Sequence, residues 1–268
     1  MAEASYLDFL DRERIRWANP LQLGLDLGAG GSGRALTAFV QPFPLATTHC
    51  TIAAANSAEQ QDWFGSAGQD RIGSVIDDTA DLAQRLGPGW LTIFNGVGGG
   101  GATQRRFHLQ VFERPDGHGP YPLELASSDL PDSALPLVAG WPIFTLHFRG
   151  PGPQVTADAL RWLRAWMVPA GQVMANRSAN VMATVHPGRD DAASELLAWV
   201  VPRHSTPARA AHFCGRLASL EMLGEIVLST EDELRRLEAR AISYAMVAEA
   251  LASVEPLEVR EVLRDGAT

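Results

Sequence analysis

Apolar and polar positions along this chain change period several times, and each change marks an element. Residues 4–17 read as a short amphipathic helix, with Tyr6, Leu7, Leu10, Ile15 and Trp17 set among Asp, Glu and Arg. The stretch 28-GAGGSGR-34 interrupts the pattern as a glycine-rich turn. Two strands follow, 35–40 and 49–54, separated by the proline-bearing turn 41-QPFPLATT-48. Residues 57–86 return to a helical period in which Trp63, Phe64, Ile72, Val75, Ile76, Leu82 and Leu86 share a face, and 87-GPG-89 stops it.

The β-branched and aromatic runs 90–95 and 107–113 predict strands on either side of a glycine loop. Loops rich in Pro and Gly continue through residue 122, before a further strand at 141–148. A helix over 156–166 takes Thr156 as its N-cap. Strands are expected at 179–186, 195–202 and 219–229. A long helix over 230–251 opens on Thr230 and Glu233, the spacing of a capping box. Strands joined by hairpins, with helices gathered at segment ends, predict an α+β fold around an antiparallel sheet. The strand–helix order occurs twice, so the expectation is one domain over 1–268 built from two degenerate halves, 1–150 and 151–268.

Composition narrows the function classes. With a formal net charge of -9, the chain repels polyphosphate backbones, so nucleic acid is not an expected partner. It contains no Lys, so all 22 basic residues are Arg, the better fork for phosphate oxygens. No apolar run is long enough to span a membrane, and 1-MAEASYLDFLDRERIRW-17 does not read as a signal peptide. Cys50 and Cys214 stand alone, and His186, His204 and His212 lack ligand spacing, so no metal site is expected. Two isolated thiols suit a cytoplasmic protein. The 28-GAGGSGR-34 glycines lack the strand–helix setting and spacing of a dinucleotide fingerprint.

The chemistry is concentrated in 93-IFNGVGGGGATQRRFHLQVFERP-115. Alternate strand residues share a face, which would set Arg106, His108 and Gln110 in a row. Gly98, Gly99, Gly100 and Gly101 would let backbone N–H groups approach phosphate oxygens. A histidine there can attack phosphorus, with Arg105 and Arg106 neutralising charge. Taken alone, the same residues also fit a flexible hairpin with a structural histidine.

This string resembles the signature of the histidine-triad superfamily, in the branch of galactose-1-phosphate uridylyltransferases, dinucleoside-polyphosphate phosphorylases and GDP-sugar phosphorylases. The family opening F/Y-N-S is matched by 94-FNG-96, and 103-TQRRFHLQ-110 covers the strand bearing H-x-H-x-Q. Weaker matches in the family order run through 35-ALTAFVQPFPLATTHCTIAA-54, 141-WPIFTLHFRG-150, 179-ANVMATV-185 and 219-SLEMLGEIVLSTEDEL-234, so the resemblance spans about 35–250.

The resemblance implies a histidine-triad-like sheet and a nucleotidyl-histidine formed on His108, with Gln110 touching the transferred phosphate. It implies that Asn95, Thr103, His49 and Asn180 line the nucleotide or phosphate site. Taken alone, His49 equally fits a capping or buried histidine, Asn180 a strand-edge amide, and Glu221 a solvent-facing carboxylate rather than a contact to an acceptor sugar. The substrate would be a nucleoside diphosphate sugar or related nucleotide, with phosphate or a sugar phosphate as acceptor and no cofactor. It also allows a homodimer paired through sheet edges. One position departs: Arg106 replaces the first motif histidine, and arginine, always charged, accepts no proton. Two other readings stay open. One is a nucleotide-binding or regulatory protein of the same fold; the other is a dinucleoside-polyphosphate phosphorylase or hydrolase.

Overall fold

The computed structural model describes residues 25–41, 45, 48–56, 59, 61–64, 70–104, 106–115, 117–128, 136–187, 194–206 and 210–265. The expected helix at 4–17 and Arg105 lie outside them. The fold is α+β, built on one antiparallel sheet. Its strands are β1 (Leu25–Ala29), β2 (Ala35–Val40), β3 (His49–Ala54), β4 (Trp90–Asn95), β5 (His108–Glu113), β6 (Leu146–Gly150), β7 (Arg177–His186) and β8 (Glu195–His204). Their order in space is β1-β2-β3-β5-β4-β7-β8-β6.

Helices α1 (Ile72–Leu86) and α3 (Gly152–Met167) cover one face. Ile72, Val75, Ile76, Ala80, Leu82 and Ala83 recur at helical spacing and meet Val155, Ala159, Trp162, Leu163 and Trp166 over the sheet. On the opposite face lie α2 (Pro122–Ser127), α4 (Ser219–Met222) and α6 (Tyr244–Ala252), with α5 (Glu231–Glu238) between the last two in the chain and α7 (Val259–Asp265) after them. Leu123, Met222, Leu223, Ala250 and Leu251 close a second core there against Leu91, Ile93, Met182 and Trp199. With both faces covered, β7 and β8 are buried at nearly every residue, polar ones such as Ser178, Asn180 and Thr184 included.

The order β3-α1-β4-β5 recurs as β6-α3-β7-β8, and the two triplets sit side by side as β3-β5-β4 and β7-β8-β6. They join where Asn95 pairs with Asn180 and Leu91 with Thr184. The outer strand β1 is guarded: Arg85 donates to the carbonyls of Leu27 (2.7 Å) and Ala29 (3.3 Å), and the register slips between Asp26 and Gly28.

Several expected elements differ. The stretch 28-GAGGSGR-34 is only partly a turn, because Gly28 and Ala29 end β1. Gln61–Trp63 are not helical, and α1 starts at Ile72, whose N–H meets the Asp70 carboxylate. Residue 122 is not loop but the start of α2, with Pro122 in its first turn and Glu124 accepting the Tyr121 N–H. The strand expected at 141–148 is displaced to Leu146–Gly150. Helix α3 begins before Thr156, whose hydroxyl donates back to the Pro153 carbonyl. Residues 219–222 form α4 rather than a strand, because Glu221 folds back to accept the Ala218 N–H. The helix expected at 230–251 is two: α5 ends as Arg240 turns to φ 56°, and Ser243 caps α6 afresh. Thr230 and Glu233 do form the capping box of α5.

Among the described residues, no helix is long and apolar enough to cross a membrane.

Candidate active site

Strand β5 carries His108, Gln110 and Phe112 on the sheet face opposite α1, beside Ala53, Thr51 and His49 of β3. The ladder between β4 and β5 stops at Ile93 and Gln110. Beyond that pair the strands part, and the buried Gln61 side chain fills the gap. Its amide nitrogen donates to the carbonyls of Asn95 (2.9 Å) and His108 (3.0 Å), and its oxygen accepts the His108 N–H (2.7 Å). One side chain therefore satisfies three backbone groups that the ladder has abandoned. The same register, continued, sets Asn95 beside His108.

The His108 ring is held from behind. Its Nδ1 lies 2.9 Å from the Arg106 carbonyl, so Nδ1 carries the proton and donates. Burial lowers the imidazole pKa, and the bond to Arg106 opposes that shift only in part. The ring is therefore neutral, with its lone pair on Nε2. Among the described residues Nε2 has no hydrogen-bond partner.

The two flanking carboxamides follow one rule. Asn95 Oδ1 accepts from Asn180 Nδ2 (2.9 Å), Ser219 N (3.0 Å) and Ser219 Oγ (2.7 Å). Gln110 Oε1 lies 3.1 Å from His49 Nε2. In both, the oxygen is engaged, while the amide nitrogen has no partner among the described residues. His108 and Asn95 are buried and Gln110 is half-buried.

Asn180 is satisfied at both ends. Its amide nitrogen also reaches the Gly100 carbonyl (2.6 Å) and Ser219 Oγ (3.1 Å), and its oxygen accepts from Arg203 Nη1 (2.9 Å). Arg203 is 2% exposed; burial pushes its pKa down to about 10, and the nearby Glu221 carboxylate opposes that shift. Burial in turn raises the Glu221 pKa.

The glycine run is not an open cradle. Gly98–Gly100 form one turn of 3-10 helix, and Gly99 and Gly100 are buried. A Cβ on Gly98 would run into the Ser205 carbonyl, one on Gly99 into that of His204, and one on Gly101 into the Ala218 side chain. The amides of Gly100, Gly101 and Ala102 already donate to Val97, Gly98 and Gly96. Close approach to the end of β8 accounts for these glycines.

Other expected residues are dispersed. Arg106 precedes β5, and its guanidinium donates to the Ala54 carbonyl (3.0 Å), so what it presents to His108 is its backbone oxygen. Thr103 is exposed. His49 stacks on Phe112, with ring centroids 4.2 Å apart. Gln61, Ser219 and Arg203 were not singled out by the sequence. Gln61 lies in a stretch whose apolar period suggests helix, and Ser219 lies in one that reads as strand. No group of three or more His, Cys, Asp or Glu is arranged to hold a metal among the described residues.

No protein-family model matches the chain, and no curated protein matches it in sequence. Solved structures do. The crystal structure of yeast Ap4A phosphorylase Apa2 aligns with a TM-score of 0.58 at 16% identity, over 91% of this chain and 80% of that one. The same enzyme in complex with AMP aligns at 0.57 and 16%, over 88% and 77%. In complex with Ap4A it aligns at 0.51 and 14%, over 83% and 74%. At such identities the likeness is one of fold.

Proposed function

We propose that this chain transfers a nucleoside monophosphate through a covalent bond to His108. The observation that carries this reading is the cluster at the head of β5. A neutral imidazole presents its Nε2 lone pair between two carboxamides whose oxygens are engaged elsewhere, so that N–H donors remain for a phosphoryl group. The Nε2 lone pair attacks the α-phosphorus, and the P–N bond forms as the P–O bond to the leaving phosphate breaks. The leaving group departs with that electron pair. In the second step an acceptor oxygen attacks the same phosphorus, the P–N bond breaks, and the ring recovers its lone pair.

The arginine at the first motif position is compatible with this chemistry. What orients His108 is a backbone carbonyl at residue 106, which any side chain would leave in place. Gln110 and Asn95 would bind the transferred phosphoryl oxygens, while Asn180 acts as a brace. Arg105 and Thr103 would meet the distal phosphates. The shared fold with a phosphorylase whose structures hold AMP and Ap4A makes a nucleoside polyphosphate with inorganic phosphate the first pair to assay. A nucleoside diphosphate sugar with a sugar phosphate is the second. Both triplets of strands contribute to the cluster, in keeping with a single domain.

Incubation with Ap4A, with and without phosphate, should release a nucleoside diphosphate only when phosphate is present. Mass spectrometry should show an acid-labile adduct of one nucleoside monophosphate, absent from His108→Ala. Adduct formation by His108→Ala would refute the mechanism. AMP binding by calorimetry, with neither adduct nor product in the wild type, would establish instead a binding protein.

A further inference from the structure

Transfer through His108 assigns no task to His49, although that side chain is 4% exposed and meets the same face. Its ring is fixed on three sides. It stacks on Phe112, with 27° between the planes. Its Nδ1 receives the Leu45 N–H at 3.2 Å, so Nδ1 holds a lone pair and the proton sits on Nε2. The Nε2–H then donates to Gln110 Oε1 at 3.1 Å. A carboxamide is nearly symmetric in shape, but a half-turn exchanges a donor for an acceptor. Turned one way, Gln110 offers N–H to an anionic phosphoryl group; turned the other way, it offers a repelling lone pair.

We infer that His49 is a positioning residue. Its Nε2–H holds the Gln110 oxygen and so keeps the Gln110 amide N–H directed at the transferred phosphoryl group, without touching the nucleotide itself. This rests on the transfer reading above. His49 is the only partner of Gln110 Oε1 among the described residues, so no other contact enforces the orientation. Burial holds the ring neutral, with a pKa near 4, so the Nδ1 lone pair that receives Leu45 persists through the neutral range.

Two measurements test it, one independent of turnover. In long-range proton–nitrogen spectra of histidine-labelled protein, His49 should be the Nε2–H tautomer, and its Nε2–H signal should move on Gln110→Leu. A Nδ1–H tautomer, or a signal indifferent to Gln110→Leu, would overturn the inference. In turnover of Ap4A with phosphate, His49→Phe keeps the stacked ring but removes the donor. It should lower kcat about tenfold and leave KM within about twofold, as expected for one lost hydrogen bond made in the transition state. His49→Gln returns an N–H near the same place and should recover most of that loss. In a Gln110→Leu background, His49→Phe should cost nothing further.

Independent losses in the double variant, equal rates for His49→Phe and His49→Gln, or a raised KM at unchanged kcat would each overturn positioning; the last would mark direct nucleotide contact. A wild type that forms no adduct and turns nothing over defeats only the transfer reading. The tautomer then decides the His49 contact by itself.

Discussion

The two triplets of strands meet at β4 and β7, and they use buried polar groups in opposite ways. On the β7–β8 side, Asn180 is saturated by Asn95, Gly100, Ser219 and Arg203, and it ties the glycine turn to the sheet. On the β4–β5 side, Asn95, His108 and Gln110 each keep one nitrogen without a partner among the described residues. A saturated buried network rigidifies its surroundings, whereas an open amide donor or an open lone pair is left for a ligand. On the transfer reading proposed above, one side holds the geometry in which the other would react.

The sharpest break in that comparison is His108→Ala. It should lower transfer by about three orders of magnitude or more, because it removes the group that bonds phosphorus. Its denaturant midpoint should stay close to wild type. Arg203→Met should do the reverse. Removing the guanidinium leaves the buried Asn180 oxygen without its donor, at a cost of about 1–3 kcal/mol in urea unfolding. If Arg203→Met is as stable as wild type, the brace is not structural. Gly98→Ala should destabilise by at least about 2 kcal/mol, since φ is 64° and the Ser205 carbonyl occupies the methyl position. A wild-type midpoint for Gly98→Ala would remove the packing account of the glycine run.

A pH series sharpens the comparison further. Burial lowers the pKa of His49 and His147 to about 4, and that of His108 below its ordinary value. Between pH 4 and the unfolded value near 6.5, the unfolded chain binds more protons than the native one. Stability should thus be full above about pH 6.5 and fall as the pH drops toward 4. His147→Leu, on β6, should flatten that slope without changing turnover. The smallest effect is a control remote from both networks: Thr230→Ala removes the cap of α5 and should cost about 1 kcal/mol by thermal unfolding.

How far the pattern of residues could be read depended on the range of the interaction involved. Strands β2, β3 and β4 lie where the β-branched and apolar runs place them, because those runs depend on neighbours two residues away. The break between α5 and α6 is not legible in the pattern, although Ser243 is a cap in type; nothing nearby shows that Arg240 turns to positive φ. Trp63 and Phe64 fit a helical period and draw Gln61 into it. Its role appears only once β4 and β5 part and leave three backbone groups to satisfy.

By itself, the sequence determined the antiparallel α+β class, the place of His108 beside Gln110 on one strand, and the departure at residue 106. Those follow from local period and from the identity of a short string. Only the tertiary structure decided which atoms of that string are open. The Arg106 carbonyl selects the His108 tautomer, Ser219 at the start of the distant α4 occupies the Asn95 oxygen, and the end of β8 presses the glycine turn closed. A donor becomes available or engaged through contacts between residues far apart in the chain, and a linear pattern does not record which of them meet.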